Sequence, residues 1–324
     1  MPNSIIMPEV QNLTIIVPLF NEAAVFPQLV QALDDLCNTS SLNLNMLLVD
    51  DGSTDATPYL LQQKASADPR WTALFLTRNF GHARAITAGL ANVPSDTDAV
   101  FILDADLQDP PGLLPAFVEK MNAGADVVYG VRQLRKEGFF KRACYKWYYR
   151  LQQRFSQIHM PLDAGDFCLL RKPVVDQMNR LPEESRYMRG LRSWVGFKQE
   201  GVPYERAARA GGSSKYSYRS LFRLASNGLF NFSELPIRFI GIVGLLAIIP
   251  SLIYLLITLY KKLVYGTVPE GFTSLIFAIV LFSGVQLLSL GIIGEYVLRI
   301  FFQVKQRPLY LIKSRIEKGV LIHE

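Results

Sequence analysis

Two long apolar stretches near the C-terminus constrain the fold more than any other feature of this sequence. They run from Pro236 to Tyr260, with Arg238 as the one charged residue, and from Phe272 to Leu298. Each is longer than the roughly 20 apolar residues that an α-helix needs to cross about 30 Å of hydrocarbon. That length disfavours the alternative, a pair of buried core helices. The sequence therefore predicts a transmembrane hairpin within residues 236–302, with spans at about 236–260 and 272–298.

The residues before the hairpin have the composition of a soluble domain. Residues 1–215 are enough to bury a complete hydrophobic core, and we expect them to form one domain. Residues 216–235 place apolar side chains at helical spacing just before the first span, which favours an amphipathic helix at the membrane interface. The alternative is an ordinary surface helix that packs on the domain. Residues 303–324 are expected to form a tail.

The distribution of charge indicates how the chain is oriented. The net charge is +6, and basic residues are concentrated in the segment 132–154 and in the C-terminal tail. Basic segments on both sides of the spans place the domain and both termini in the cytosol by the positive-inside rule. The first 12 residues have neither a basic region nor a long apolar core, so we expect no signal peptide. The three cysteines have no metal-binding spacing, which favours a reducing compartment.

The first half of the chain alternates strand and helix signals. Short uninterrupted apolar runs are separated by segments in which apolar residues recur at helical spacing. This pattern predicts an α/β fold with a Rossmann-like, mostly parallel sheet that is covered on both faces. The predicted strands lie at 13–17, 46–49, 73–76, 99–103 and 126–130.

Polar clusters follow four of the predicted strands. Because ligands bind at the carboxyl ends of the strands in such sheets, we expect these clusters to form one site. A carboxylate such as Asp50 can accept a hydrogen bond from a nucleotide base there, and Glu22 can meet a ribose hydroxyl. The clusters are Asn21-Glu22, Asp50-Asp51, Arg78, and Asp104 with Asp106.

The carboxylates Asp104 and Asp106 predict a metal site. They are separated by one residue and directly follow the apolar run 100–103. A hard cation such as Mg²⁺ or Mn²⁺ prefers oxygen ligands and commonly joins a carboxylate to a diphosphate. The bare pattern can also cap a helix or form a turn, but its position after a strand favours the metal.

Six motifs occur in an order that resembles one family. The resemblance is to the inverting family-2 glycosyltransferases with a GT-A fold, and within them to the polyprenyl-phosphate glycosyltransferases, relatives of dolichol-phosphate mannose synthase. It is strongest with the bacterial polyisoprenyl-phosphate glucosyltransferases that carry two C-terminal spans. The motifs are Pro18–Glu22, Asp50–Asp55, Arg78–His82, Asp104–Asp109, Asp163–Phe167 and Arg209–Tyr216.

The resemblance implies transfer of glucose from UDP-glucose to a membrane polyprenyl phosphate, such as undecaprenyl or dolichol phosphate, in a bacterial inner or plasma membrane. It also implies roles for individual residues. The metal, Mg²⁺ or Mn²⁺, is expected on Asp104 and Asp106. The acceptor phosphate is expected on Arg132, Lys141, Arg142, Arg209 and Ser214. The nucleotide sugar is expected on Pro18, Asn21, Glu22, Asp50, Asp51, Arg78, Asp104, Gln108 and Lys215.

Three carboxylates are the candidate catalytic groups, namely Asp106, Asp163 and Asp166. A lipid phosphate is already an anion near neutral pH, because its second pKa is about 6. It therefore needs positioning more than a base, and Asp163 and Asp166 are the candidates for orienting it or for acting as a base. The chain departs from the family at Cys168, where many relatives have arginine. His82 is expected to orient the backbone or contact the nucleotide.

Other functions remain as alternatives. GDP-mannose or a UDP-aminoarabinose-type donor would suit the same reaction. A processive polysaccharide synthase is disfavoured, since its Gln-X-X-Arg-Trp motif is absent from residues 186–194. A catalytically inactive membrane scaffold is the alternative of another class. No nucleic-acid motif accompanies the basic charge, so we expect no nucleic-acid partner. Glycines in the spans permit close helix packing and favour a homo-oligomer.

Overall fold

The computed structural model describes residues 9–133, 164–205, 235–266 and 271–323. The chain forms two compact units. The first unit holds the described residues up to 205 together with 308–323. The second unit holds the described residues from 235 to 307.

A single sheet forms the centre of the first unit. Its strands are β1 (Asn12–Leu19), β2 (Asn43–Asp50), β3 (Trp71–Leu76), β4 (Ala99–Ile102), β5 (Val127–Gln133), β6 (Ala164–Arg171), β7 (Gln199–Glu205), β8 (Ile312–Glu317) and β9 (Val320–His323). In the described residues their order is β7-β5-β6-β4-β1-β2-β3-β8-β9. The adjacent strands β4, β1, β2 and β3 are parallel, as are β5 and β7. The predicted parallel core is thereby confirmed, and the five predicted strands correspond to β1–β5.

Helices cover both faces of this sheet. They are α1 (Phe26–Thr39), α2 (Thr57–Ala67), α3 (His82–Ala91), α4 (Leu114–Asn122), α5 (Lys172–Arg180) and α6 (Met188–Trp194), with a 3₁₀ turn at Pro111–Leu113. Leu29 and Leu33 of α1 pack with Ile15 and Phe101 on one face. On the other face α3 approaches β1 so closely that a Cβ on Gly89 would lie 2.6 Å from Ile16 Cγ2. Burial of these uninterrupted apolar strands on both sides explains their composition.

Four strands extend the sheet beyond the predicted five. β6 runs antiparallel between β4 and β5, and β8 pairs antiparallel with β3. β8 and β9 come from residues 312–323, in the segment expected as a tail. Ile316 of β8 is fully buried and joins the main core. The C-terminal residues thus complete one edge of the sheet.

The second unit consists largely of two long apolar helices, α7 (Leu235–Tyr265) and α8 (Phe272–Val304), which contact each other. Many of their large apolar side chains are exposed. Among the described residues, one segment is long and apolar enough to span a bilayer, Ser274–Val304 with a mean hydropathy of 2.4. The predicted two-span hairpin therefore stays a prediction. The predicted interfacial helix at 216–235 lies, except for its last residue, outside the described residues.

Candidate active site

The loops at the carboxyl ends of β1 and β2 are tied together by hydrogen bonds. Asn21, which has a positive φ of 54°, donates its amide to Ser53 Oγ at 2.9 Å and accepts from the Thr54 amide at 2.8 Å. The Glu22 amide donates to Thr57 Oγ1 at 2.9 Å. Pro18 is buried within β1, one strand position before these loops begin. The residues of these two loops that are predicted to bind the nucleoside are therefore linked to one another by hydrogen bonds.

The neighbouring carboxylates Asp50 and Asp51 have different environments. Asp50 ends β2 and is buried, and its oxygens lie 3.3 and 3.4 Å from the Ser53 amide. Burial raises the pKa of Asp50, against the opposing effect of the Ser53 hydrogen bonds. Asp51 accepts from the amides of Phe80 at 2.7 Å and Gly81 at 2.8 Å. Both Asp51 oxygens thus hold the loop that begins α3.

That loop brings two predicted side chains to the edge of the sheet. Arg78 is exposed, and its guanidinium lies 4.1 Å from the centroid of the Phe80 ring. Gly81 has a φ of 97°, a conformation that glycine adopts without strain, and α3 begins at the next residue. The backbone fixed by Asp51 therefore determines where the His82 side chain projects.

His82 lies between two carboxylates from different strands. Its Nε2 is 3.6 Å from Asp104 Oδ1 and 3.7 Å from Asp166 Oδ2. Burial lowers the pKa of His82, but the hydrogen bond with Asp166 and the charges of Asp104 and Asp166 outweigh it and raise the pKa to about 9. The imidazole is still 46% exposed. His82 is thus a half-exposed cation between Asp104 and Asp166, a charge that the sequence analysis did not predict.

Asp104 and Asp106 have the chemistry expected of metal ligands. Both follow β4, and Asp106 accepts from the Gln108 amide at 3.2 Å in a turn where Leu107 has a φ of 52°. Burial raises the pKa of Asp104, and three carboxylates nearby raise it further, against the opposing charge of His82. Among the described residues no group of three or more His, Cys, Asp or Glu side chains forms a complete metal site. Two carboxylates suit Mg²⁺ or Mn²⁺, which commonly take their other ligands from water and substrate phosphates.

Arg132 is held in place by a buried pair. Its Nη2 lies 3.4 Å from Asp109 Oδ2, and its Nε donates to the Tyr204 hydroxyl at 3.2 Å. Tyr204 in turn donates to Asp109 Oδ1 at 2.5 Å. A Cβ on Gly165 would lie 3.0 Å from Arg132 Nη2, so the guanidinium rests against the backbone of β6. Arg132 therefore lies beside the strand that carries Asp166.

Helix α6 contributes two arginines to this strand. Arg189 Nε donates to Asp166 Oδ1 at 3.3 Å, and Arg192 Nη1 donates to the Gly165 carbonyl at 3.2 Å. Burial raises the pKa of Asp166, but the charges of Arg189, His82 and Arg192 outweigh it and hold the pKa well below its usual range. Asp166 is thus ionised at neutral pH, and its two oxygens face different cations. Such a group is a weak base.

The structure brings most of the predicted site residues to the carboxyl edge of the sheet. Asp104, Asp166 and the unassigned His82 lie together, whereas Asn21, Glu22, Asp50 and Asp51 connect the adjoining loops. Sequence reasoning missed Arg189, Arg192 and Tyr204. The arginines are three residues apart, as on one helix face, which was the available signal. The predicted Lys141, Arg142, Asp163, Arg209, Ser214 and Lys215 lie outside the described residues.

Comparison with known proteins shows the family of the chain. Residues 14–178 match the model of Glycosyl transferase family 2. The chain is 40% identical to the uncharacterized glycosyltransferase YkcC of Bacillus subtilis, over 93% of each chain. It is 36% identical to the SfII prophage-derived bactoprenol glucosyl transferase of Shigella flexneri, over 93% of this chain and 97% of that protein.

Solved structures with a similar fold have low sequence identity. Glucosyl-3-phosphoglycerate synthase from Mycobacterium tuberculosis is 16% identical, with a TM-score of 0.45, over 67% of this chain and 76% of that chain. TarS 1–349 from S. aureus, in complex with UDP-GlcNAc, is 15% identical, with a TM-score of 0.43, over 68% and 67%. The family match and the full-length relatives carry the assignment: the chain is an enzyme of glycosyltransferase family 2 with a GT-A-like α/β fold.

Proposed function

We propose that this glycosyltransferase moves glucose from UDP-glucose to a membrane polyprenyl phosphate, with inversion at the anomeric carbon. One observation carries the proposal: two cations, His82 and Arg189, flank Asp166 beside the predicted metal ligand Asp104. A site that combines cations with metal-binding carboxylates suits a reaction between two phosphate-bearing substrates. The similarity to a bactoprenol glucosyl transferase supports the choice of glucose and of a lipid acceptor.

The donor side of the site is formed by the loops after β1, β2 and β4. Asp50 and Glu22 would contact the nucleoside, and the exposed Arg78 would approach the diphosphate. Asp104 and Asp106, with Gln108 in the same turn, would hold Mg²⁺ or Mn²⁺. The bound cation would neutralise charge on the diphosphate as it leaves. The four carboxylates in and around this turn make a cation at this position favourable, because like charges repel in its absence.

The acceptor side would be formed by Arg132, Arg189 and His82. Each supplies positive charge at or beside β6. Charge-assisted hydrogen bonds from these groups would fix the lipid phosphate and offset its repulsion from the diphosphate. The basic segment that includes Lys141 and Arg142, with Arg209 and Ser214, would add to this binding.

The chemical step needs no base among the described residues. A phosphate oxygen attacks the anomeric carbon from the side opposite the diphosphate, the new carbon–oxygen bond forms, and the bond to the diphosphate breaks with inversion. The acceptor is already an anion, because its second pKa is about 6. Asp166, with its strongly lowered pKa, is a poor proton acceptor and would instead hold His82 and Arg189 in place. Whether Asp163 shares this role stays a prediction.

The membrane would be reached through the second unit. The exposed apolar side chains of α7 and α8 suit a lipid environment far better than water. We propose that both helices span the bilayer as a hairpin, with the catalytic domain and both termini in the cytosol. Homo-oligomers would form by close packing at the helix glycines. These assignments accord with an acceptor that is itself a lipid.

The test is transfer of labelled sugar from a panel of nucleotide sugars, including UDP-glucose, GDP-mannose and a UDP-aminoarabinose-type donor, to polyprenyl phosphate in detergent. A lipid-linked product from UDP-glucose that requires Mg²⁺ or Mn²⁺, and is lost in Asp106→Ala but kept in the exposed Asp96→Ala, supports the proposal. Product from another donor instead corrects the sugar. Nucleotide binding without any lipid product contradicts the acceptor, and absence of nucleotide binding favours an inactive scaffold.

A further inference from the structure

Arg192 is a buried cation that the proposed donor and acceptor roles leave unexplained. Only 2% of the residue is exposed, so it cannot contact either substrate directly. Its Nη1 donates to the Gly165 carbonyl at 3.2 Å. Its Nε and Nη2 are also buried, and neither is paired with an oxygen acceptor in the described part of the chain. Buried polar groups are almost always paired, because an unpaired one destabilises the folded protein. A buried arginine with incomplete pairing therefore suggests a functional role.

The groups around Arg192 all belong to the strands that line the site. The guanidinium carbon lies 5.1 Å from the centroid of the Tyr129 ring on β5. The thiol of Cys168 on β6 is also a neighbour: burial raises the pKa of this thiol, and the charge of Arg192 and a hydrogen bond with its side chain oppose that rise. The arginine charge also acts on Asp166, the next residue after its hydrogen-bonded partner Gly165. Arg192 therefore acts on both the backbone and the side chain at the position where β6 enters the site.

We propose that Arg192 is a positioning residue for sugar transfer, which fixes the Gly165–Asp166 segment of β6 and so presents the Asp166 carboxylate to His82 and Arg189. This inference rests on the proposed function of the same site. Arg192 and Arg189 are three residues apart on α6, so one helix face provides both the arginine that pairs with Asp166 and the arginine that anchors its backbone.

A second buried arginine provides the contrast. Arg186 donates from Nε to Thr87 Oγ1, from Nη1 to the Leu181 carbonyl and from Nη2 to the Met178 carbonyl. Each of its nitrogens is paired, and these bonds join α3, α5 and the segment that follows α5. This is the bonding of an arginine whose role is structural. Arg192, by comparison, has one such bond and an ionised carboxylate beside it.

The experiment compares Arg192→Met with Arg186→Met in the full-length protein in detergent, with the donor and lipid phosphate that the wild type uses. We expect Arg192→Met to lower kcat about tenfold or more, because small misplacements of reacting groups are costly. The KM values for both substrates should stay within about twofold, since Arg192 contacts neither. The melting temperature should hardly change, because an apolar residue of similar size tolerates this site better than an incompletely paired charge. Arg186→Met should lower the melting temperature while the folded fraction keeps its kcat.

Two further variants separate charge from hydrogen bonding. Arg192→Lys keeps both a donor for the Gly165 carbonyl and the charge that acts on Asp166, so it should recover most of the lost kcat, whereas Arg192→Gln keeps only a donor and should recover less. These variants decide the question even if Arg192→Met fails to fold. Equal kcat in the Lys and Gln variants, or wild-type kcat in Arg192→Met, would overturn the positioning role. So would a loss of activity that merely follows a fall in melting temperature. A wild type that forms no lipid-linked sugar would instead overturn the proposed function, and this role with it.

Discussion

The Tyr204 hydroxyl donates a 2.5 Å hydrogen bond to Asp109, whose carboxylate is fully buried. The same hydroxyl accepts from Arg132 Nε, and Arg132 Nη2 lies 3.4 Å from the other Asp109 oxygen. Burial and the adjacent Asp109 raise the pKa of Tyr204 to about 12, so the hydroxyl keeps its proton at neutral pH. A closed set of three side chains therefore fixes the guanidinium that we expect to meet the lipid phosphate.

Replacement of Tyr204 by phenylalanine tests this set. Tyr204→Phe removes the hydroxyl, so the buried carboxylate of Asp109 loses the hydrogen bond that Tyr204 donates. We expect the free energy of unfolding to fall by about 1–3 kcal/mol, the usual cost of an unsatisfied buried polar group. The KM for polyprenyl phosphate should rise while that for the nucleotide sugar stays near the wild-type value, because the freed Arg132 lies on the proposed acceptor side. Denaturant unfolding and steady-state kinetics measure the two effects.

Tyr59→Phe is the matched control. Tyr59 is 62% exposed, and its hydroxyl accepts from Gln63 on the same helix surface. The same chemical change there should alter the free energy of unfolding by less than about 0.5 kcal/mol. Equal effects of the two substitutions would show that the buried set contributes nothing special to stability or to acceptor binding.

Gly52 allows the loop after β2 to lie against the loop after β3. It has a φ of 68°, and a Cβ at this position would lie 2.4 Å from the backbone carbonyl carbon of Arg78. We expect Gly52→Ala to lower the free energy of unfolding by about 2–4 kcal/mol, since backbone strain and a backbone clash act together. Sugar transfer should also fall, because the displaced loop leads to His82. Chemical denaturation and the transfer assay measure both.

Gly112→Ala is the control for this substitution. Gly112 lies in the 3₁₀ turn before α4, does not have a positive φ, and has no atom within 4 Å of the position that a Cβ would occupy. The alanine variant should match the wild type in stability and activity. Wild-type stability in Gly52→Ala would mean that the two loops separate easily.

The sequence predicted the centre of the sheet because its signals are local. The runs at 13–17 and 99–103 are uninterrupted and apolar, and polar residues directly follow each strand, so Asp104 and Asp106 could be placed without the structure. β8 could not be recognised in the same way. It is short, its residues 313–315 are all polar or charged, and its partner β3 lies more than 200 residues earlier in the chain. Position just after an apolar stretch favoured the reading of this segment as a tail.

The sequence pointed to the carboxylates and to the cations Arg78 and Arg132, but not to Arg189 or to the charge at His82. Nothing in the sequence indicated that the oxygens of Asp51 hold the amides of Phe80 and Gly81 and so fix the start of α3. The charge at His82 depends on Asp104 and Asp166, which reach it from two other strands. The convergence of Arg189 on Asp166 depends on how α6 packs against β6. Such long-range packing leaves no periodic pattern in the sequence.

The protonation of His82 gives a prediction about pH. Burial opposes protonation of His82, but Asp166 and Asp104 raise its pKa from 6.5 to about 9. A raised pKa means that the proton stabilises the folded state. This contribution is fully present below about pH 6.5 and is lost as the pH rises through about 9. In metal-free protein, the free-energy difference between wild type and His82→Gln should therefore shrink between neutral and alkaline pH.

An NMR pH titration of the His82 imidazole, in the presence of a metal chelator, measures the pKa of His82 directly. We expect a midpoint near 9 in the wild type and a lower midpoint in Asp166→Asn, which loses one of the two carboxylates that hold the proton. A wild-type midpoint at or below 6.5 would mean that His82 is neutral at physiological pH. It would then supply a hydrogen bond rather than a charge to the acceptor side.

The charge of Asp104 is unfavourable when no cation is bound beside it. Burial and three nearby carboxylates raise its pKa, so in metal-free protein its charge is poorly accommodated. Asp104→Asn should therefore leave the free energy of unfolding of the metal-free protein within about 1 kcal/mol of the wild type, or raise it. The same variant should lose at least about tenfold in Mn²⁺-dependent affinity for UDP, since one of the proposed ligands is gone. Calorimetric titration with UDP, with and without Mn²⁺, measures this affinity.

Asp96 is exposed and lies away from the site, so Asp96→Asn makes the same change of charge as a control. It should keep the wild-type free energy of unfolding and the wild-type Mn²⁺-dependent affinity for UDP. If Asp104→Asn destabilised the metal-free protein as strongly as it weakened UDP binding, the carboxylate would be a structural group. If Asp104→Asn keeps the stability of the metal-free protein but loses metal-dependent UDP binding, Asp104 is a metal-binding residue. Its charge is then unfavourable in the protein without metal and is required only when the metal is bound.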